Sequence, residues 1–325
     1  MSMTSVPSDV LAGAVALACR APSYHNSQPW RWVVDGDGLH LFLDRNRLVE
    51  TDLHERQALL SCGAALDHLR VAMAAAGWSA HINRFPDPEN VEYLASISFT
   101  ELTVMTDEHR LRAQAIATRR TDRLPFGPVT DWAAFETALR GKLDDTVALV
   151  DVVGDVDRHE LVQATDLTNA LRFYDTTYFK TLQRWSAPFE WSEGIPYDSL
   201  VSAAEGDRVD VGRTFPLSHH AERREEVPTD LSTILIISAR GDTRLDTLRC
   251  GETLSTVLLE ATAAGLATCT LTHLTELSSS RHLVEEVTGR ALPQALVRIG
   301  QAPESEHFPP PTPRRELADV LTIKL

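Results

Sequence analysis

The sequence predicts an α+β fold in which one structural unit occurs twice along the chain. Three observations lead there. The stretch LLSCGAALDHLRVAMAAAGWSA (Leu59–Ala80) matches TLRCGETLSTVLLEATAAGLAT (Thr247–Thr268) at a constant offset, sharing Leu60/Leu248, Cys62/Cys250, Gly63/Gly251, Leu66/Leu254, Ala76/Ala264 and Gly77/Gly265. β-rich stretches flank both in the same order. A weaker pair, ALACRAPS from Ala16 and AIATRRTD from Ala115, repeats upstream.

Each matched stretch reads as a long, largely buried helix closed by a glycine at its C-terminal end. Before the first lie RWVV, a DGDG turn and LHLFL (Leu39–Leu43). Asp-Gly between alternating apolar runs predicts a hairpin; the further acids that a calcium loop needs at fixed spacing are absent. AHINRF and LASISF follow the helix. The second copy supplies VALVDVV (Val147–Val153), TILIISA (Thr233–Ala239), the helix, ATCTLT and ALVRIG. The halves are taken as residues 1–105 and 106–325. The first copy passes from strand to strand at Asp35–Gly38, whereas the second spends Gly154–Ser232 on the same connection. That insertion, about 154–232, holds nine of the 21 aromatics between Phe173 and Phe215, among them Tyr174, Tyr178, Trp185, Phe189, Trp191 and Tyr197. Long insertions form lids or binding elements; a small helical subdomain packing on itself is the alternative. Within it, EGIPYDSL and HHAERREE are polar and turn-rich and are expected as solvated surface.

A chain of 325 residues suffices for one large domain or two of ordinary size. The formal charge of −15 repels phosphate backbones and anionic lipid, which argues against nucleic acid and membranes as partners. Cys19, Cys62, Cys250 and Cys269 form no CxxC or Cys/His ligand spacing, so they read as free thiols of a cytoplasmic protein, with no metal site. The run ending AVALAC lacks a basic n-region and carries Asp9, so it is not taken as a lipoprotein signal; no other segment is expected to approach membrane-spanning length.

Neither GxGxxG after a strand nor GxxxxGK[ST] occurs, and GxSxG and HExxH are missing too. What stands out is RRTDR, Arg119–Arg123, at the end of a helical stretch. Three guanidiniums and a hydroxyl in five residues suit an anion, each charge-assisted hydrogen bond contributing roughly 1.5–3 kcal/mol; a surface cluster pairing with Asp122 and Asp131 is the alternative. A second basic pair, Arg314 and Arg315, follows a proline-rich lead-in whose extended geometry suits docking onto the body. His25, in the loop RAPSYHNSQPWRW, reads as a general base or as an ordinary hydrogen-bonding residue.

Together these pieces resemble the FMN-dependent nitroreductases. APSYHNSQPW is similar to their flavin-contact loop, RRTDR to their R-x-S-x-[RK] phosphate-binding start, GLATC with TLT to the stretch beside the flavin ring, and TPRREL to their C-terminal arginine segment. With SEGIPYDSLVSAAEGDRV included, the likeness is greatest to the Acg family of actinobacterial nitroreductase-like flavoproteins and covers nearly the whole chain.

The resemblance implies a nitroreductase-like fold duplicated into a single-chain pseudo-dimer, monomeric, with an aromatic-rich lid and one FMN. In ordinary members two identical chains share each site. Here the first half would give Pro22, Ser23, Asn26 and Gln28, with Tyr24 in place of a small polar residue. The second would give Arg119, Thr121 (for the family's Ser), Arg123, Arg314 and Arg315 around the phosphate. Thr270, Leu271, Thr272 and His273 would stand beside the ring, where the family has Pro, Ile, Glu and Gly. GKLDDT occupies the place of a second NSQPW loop, so the other site would be degenerate. No catalytic side chain is assigned, because the flavin does the chemistry. The implied activity is NAD(P)H-dependent reduction of a small nitroaromatic or quinone, in a stress or dormancy response. The alternative is a silent FMN store with an occluded flavin, and a flavin-free scaffold is a third reading.

Overall fold

The structure is a computed structural model that describes residues 6–36, 38–186, 193–215, 221–303 and 311–324. Phe189, Trp191, His219 and His220 lie outside the described residues. The first half runs α1 (Ser8–Ala18), β1 (Trp30–Asp35), β2 (Gly38–Leu43), α2 (Arg56–Ala75), β3 (Trp78–Arg84) and β4 (Tyr93–Glu101). The second opens with α3 (Asp107–Thr118), α4 (Trp132–Arg140) and β5 (Ala148–Val152), and continues through α5 (Asp155–Phe173), α6 (Thr176–Trp185) and α7 (Ala203–Asp207). It closes with β6 (Thr233–Ala239), α8 (Arg244–Ala263), β7 (Ala267–Leu271), α9 (His273–Glu276), α10 (Ser278–Thr288), β8 (Pro293–Gly300), α11 (Leu317–Val320) and β9 (Leu321–Ile323).

The period-two pattern at β1 buries Trp30 and Trp32 and leaves Arg31 in solvent. Asp35 lies opposite Gly38, so the DG signal does close a hairpin. The first sheet has the order β3-β4-β2-β1-β9 and the second β5-β6-β8-β7. With β1–β4 set against β5–β8, four strands of each sheet follow one order, all antiparallel. The additional β9 runs parallel to β1, so the C-terminal segment docks on the first half.

Between the sheets α2 packs on α8. A Cβ at Gly63 would stand 2.0 Å from the Leu248 carbonyl oxygen, and one at Gly251 would stand 2.2 Å from that of Leu60. The contact is reciprocal at equivalent positions, and only glycine permits it. Leucines cross with it: Leu60 of α2 is buried among second-sheet residues and Leu248 of α8 among first-sheet residues. Gly77 and Gly265 follow the two helices with φ of +87° and +75°, the left-handed step that ends each helix. Gly63→Ala is therefore expected to destabilise by about 1–3 kcal/mol or more through overpacking. Gly13→Ala, with nothing within 4 Å of its Cβ, should instead gain up to about 1 kcal/mol. Urea unfolding of the two variants checks the contrast.

One expectation needs correcting. By length and composition α2 is long and apolar enough to cross a membrane, contrary to the reading that no segment approaches it; 83% of the apolar window is buried in the protein, so it serves as the core helix. The insertion is helical, and α5 packs on α9 and α10. Its aromatics divide: Tyr178 and Trp185 are buried, whereas Phe173 and Tyr174 are 67% and 85% exposed, and Phe179 touches both Phe173 and Tyr178.

Candidate functional site

Two cavities of about 510 and 180 Å³ share Pro22, Ser23, His25, Thr121, Arg123 and Ile195 as lining, so they adjoin. Thr270, Leu271, Thr272 and His273 line the wide one, and Asn26, Arg119 and Arg314 the narrow one. Of the residues singled out from sequence, Gln28 and Arg315 line neither. The Gln28 side chain accepts from the Arg315 backbone N–H at 2.9 Å, and the Arg315 guanidinium pairs with Asp44 at 3.4 Å. These two fasten the C-terminal segment to the opening loop.

That loop holds a backbone most residues avoid. His25, Asn26 and Gln28 have φ of +52°, +58° and +53°, left-handed conformations that stay populated only when the surroundings fix them. Ser23 Oγ accepts from the Gln28 N–H at 3.0 Å. Asn26 Nδ2 donates to the carbonyls of Gly194 and Pro313 at 3.0 and 3.1 Å, joining the loop to the insertion and the C-terminal segment. Tyr24 donates its backbone N–H to Ser61 Oγ at 3.1 Å, which turns its ring into the wide cavity.

The narrow cavity gathers positive charge. Arg119 caps the C-terminus of α3 and is buried; among the described residues its side chain bonds the Arg20 carbonyl alone, at 3.3 Å, and its Nε has no partner. Arg314 donates to the carbonyls of Cys19, Arg20 and Ala21 at 3.0, 3.1 and 3.3 Å. Burial, then the charge of Arg20, lowers Arg119 to about 10, and burial, then Arg119 and Arg20, lowers Arg314 to about 9. Arg123 bonds the Ser199 carbonyl at 3.2 Å and lies 5.0 Å from the Phe215 ring. The carboxylates suggested as local partners are committed elsewhere. Asp122 pairs with Arg224 at 2.5 Å, and Asp131 caps α4 at Ala134. Seven arginines line this cavity against two carboxylates, Asp198 and the Asp122 held by Arg224, and such an excess of guanidiniums suits an anion.

At the wide end Thr272 Oγ1 donates to Glu276 at 2.9 Å, and Glu276 pairs with Arg213 of the insertion. Arg213 also reaches the Tyr178 hydroxyl at 3.0 Å and stands 5.7 Å from the Tyr24 ring, while Arg172 approaches Glu276 at 3.5 Å. Burial opposes the Glu276 charge, yet Arg213 holds its carboxyl down at about 2. Burial, then Arg213, lowers both His25 and His273 to about 3, leaving two neutral imidazoles on the wall. Both nitrogens of His273 and the Gln57 Nε2, each buried, have no partner among the described residues.

Sequence reasoning missed Arg20, Gln57, Arg213 and Glu276. It also placed EGIPYDSL and HHAERREE in solvent, whereas Ile195 and Leu200 are buried, Arg223 pairs with Glu205, and Arg224 is buried on Asp122. Each partner lies far off in sequence, and no local signal announces it.

No family model matches the chain. It is 53% identical over 326 residues to "Putative NAD(P)H nitroreductase acg" of Mycobacterium tuberculosis strain H37Rv, covering 100% of this chain and 98% of the relative. "Putative NAD(P)H nitroreductase Rv3131" of the same strain is 37% identical over 318 residues, covering 94% and 89%. Among solved structures, the FMN-dependent nitroreductase NfnB from Mycobacterium smegmatis in complex with NADPH gives a TM-score of 0.39 at 15% identity, covering 66% of this chain and 97% of that one. The identity and coverage of the sequence relatives put the chain in the nitroreductase-like class of α+β proteins. It belongs to the Acg family within that class.

Proposed function

We propose that this chain is an FMN-binding oxidoreductase, an internally duplicated pseudo-dimer with one flavin site between its halves, roofed by the insertion and monomeric in solution. The observation that carries the proposal is the excess of arginines over carboxylates at the narrow end, seven against Asp122 and Asp198, in a cavity that widens toward unpaired donors. It fits a long ligand with an anionic head and a flat, polar-edged tail. Arg119, Arg314 and Arg123, with Thr121, would hold the phosphate. Pro22, Ser23 and Asn26 would line the flavin from the first half, and Thr270–His273, with Gln57, would meet the ring from the second half and α2. The matching strand orders and the reciprocal Gly63/Gly251 contact support the duplication, and the halves are placed at 1–105 and 106–325. Four buried free thiols fit a reducing, cytoplasmic setting.

Bound FMN would supply the redox chemistry, taking electrons from NAD(P)H and passing them to a nitro compound or quinone. The chain's own work is to neutralise the phosphate, hold the ring in place through a strained loop, and keep water from the ring through the insertion. The neutral imidazoles of His25 and His273 present donors without adding charge beside it.

The Arg213–Glu276 pair favours a second reading: FMN stored beneath a roof held shut. Anaerobic titration with NADPH and then dithionite, following the visible flavin band, separates the two. Bleaching by NADPH is expected, at one FMN per chain. Bleaching by dithionite alone makes the chain a store, and purification without flavin or with two per chain overturns the single site.

A further inference from the structure

We propose that the ligand admitted beside the ring is a flat molecule that is neutral or positively charged, selected by the carboxylates of Asp166 and Asp207. The inference rests on the wide cavity being the ring site. Of the residues lining that cavity, those exposed to solvent among the described residues are Asp166, Ala203, Asp207, Asp210 and Thr214. The opening therefore carries carboxylates and no cation. Asp210 is committed to Arg158 at 2.8 Å. Asp166, on α5, and Asp207, at the end of α7, have no hydrogen-bond or ion-pair partner among the described residues.

The cations of the same cavity do not offset this rim. Arg298 is buried on Asp230 at 2.6 Å, Arg213 is buried on Glu276, and Arg123, where the two cavities adjoin, is turned to the Ser199 carbonyl at 3.2 Å. His273 and Gln57 are each 3% exposed and line the cavity with nitrogens unpartnered among the described residues, so the ring and the ligand beside it must together bring hydrogen-bond acceptors. Val162, Val209, Phe215 and Leu271 give apolar walls for a flat body. Two exposed carboxylates over a cleft with low-dielectric walls focus a negative field on whatever enters. The chain's net charge of −15 adds to it at long range. A nicotinamide dinucleotide, the proposed electron donor, meets this negative field with its phosphates, which slows its approach without barring it.

The test uses the full-length chain loaded with FMN and three flat probes: a neutral naphthoquinone, its anionic sulfonate, and a cationic phenothiazine dye. Binding is read from perturbation of the oxidised flavin spectrum at low salt. The cation is expected to bind about tenfold tighter than the sulfonate, the scale two exposed charges provide. The preference should vanish in Asp166→Asn/Asp207→Asn and shrink as salt rises, with the neutral quinone unchanged. In the same variant, reduction by NADPH should quicken. Equal binding of both charged probes, a preference for the sulfonate, a preference that survives in the double variant, or no binding by any probe overturns the inference while leaving the flavin site intact. A chain that takes up no FMN overturns both.

Discussion

Replacing Arg119 with leucine is expected to weaken FMN binding by about 10- to 150-fold while leaving the apoprotein as stable as before, or more so. The first half follows from losing one charge-assisted contact to a phosphate, roughly 1.5–3 kcal/mol. The second follows from what Arg119 does without ligand: among the described residues its side chain has one hydrogen bond, to a carbonyl at 3.3 Å, and its Nε is buried unpaired. A buried cation beside two others works against the fold that holds it. The pH dependence carries the same sign. Arg119 and Arg314 are lowered to about 10 and about 9, so between there and the ordinary arginine range the unfolded chain holds more protons than the folded one. Apoprotein stability should therefore rise with pH through that window, and Arg119→Leu should flatten the rise. Arg314→Leu is the contrast, because it removes bonds to the carbonyls of Cys19, Arg20 and Ala21 and should lower apoprotein stability as well. Thermal unfolding with and without FMN, alongside an FMN titration, reads both quantities. An Arg119→Leu chain that keeps its flavin and melts lower would make Arg119 a structural residue and remove the phosphate assignment.

How much of this was legible depends on where the partners lie in the chain. Strands and long helices announce themselves through local period, and the second-copy helix expected from Thr247 begins at Arg244. The first-copy helix expected from Leu59 begins at Arg56, after Glu55 takes a left-handed turn with φ of +56°. Most of the anion site was legible because Arg119, Thr121 and Arg123 sit within five residues, but Arg20 enters it only through the fold. Arg315 looked equivalent to its neighbour Arg314. Along an extended segment adjacent side chains point to opposite sides, and the structure sends Arg315 to Asp44. The polar stretches of the insertion failed as sequence readings for a related reason. A single chain shows that Arg213, Arg223 and Arg224 are charged but not which distant carboxylate each will meet, and pairing turned expected surface into buried network.

Breaking the Arg213–Glu276 pair is the second large effect. Glu276→Gln leaves the Arg213 guanidinium buried beside Arg172 without its counter-charge, and such losses cost about 3–5 kcal/mol. Where that energy goes decides what the pair is for. Glu276 sits on α9, directly after the stretch proposed to lie beside the ring, and Arg213 sits in the insertion, so the contact ties the two together at the edge of the wide cavity. If it latches a roof, the insertion should undock before the two sheets unfold. FMN exchange and proteolysis within residues 193–215 should then rise by two orders of magnitude or more, with a smaller fall in the global melting temperature. A Glu276 carboxyl held at about 2, below its ordinary range, gives stability that is complete above that range and lost as pH falls toward 2. Wild-type FMN release should accelerate over that acid window, and Glu276→Gln should release quickly at neutral pH with little further acceleration. Arg213→Met/Glu276→Gln removes both charges and should recover much of the global stability, as replacing a whole buried pair often does. The double variant still lacks the tie between insertion and α9, so fast exchange in a restored fold identifies a latch. Slow exchange in the double variant assigns the pair to packing alone, and the roof then owes its closure to the Asn26 contacts with Gly194 and Pro313.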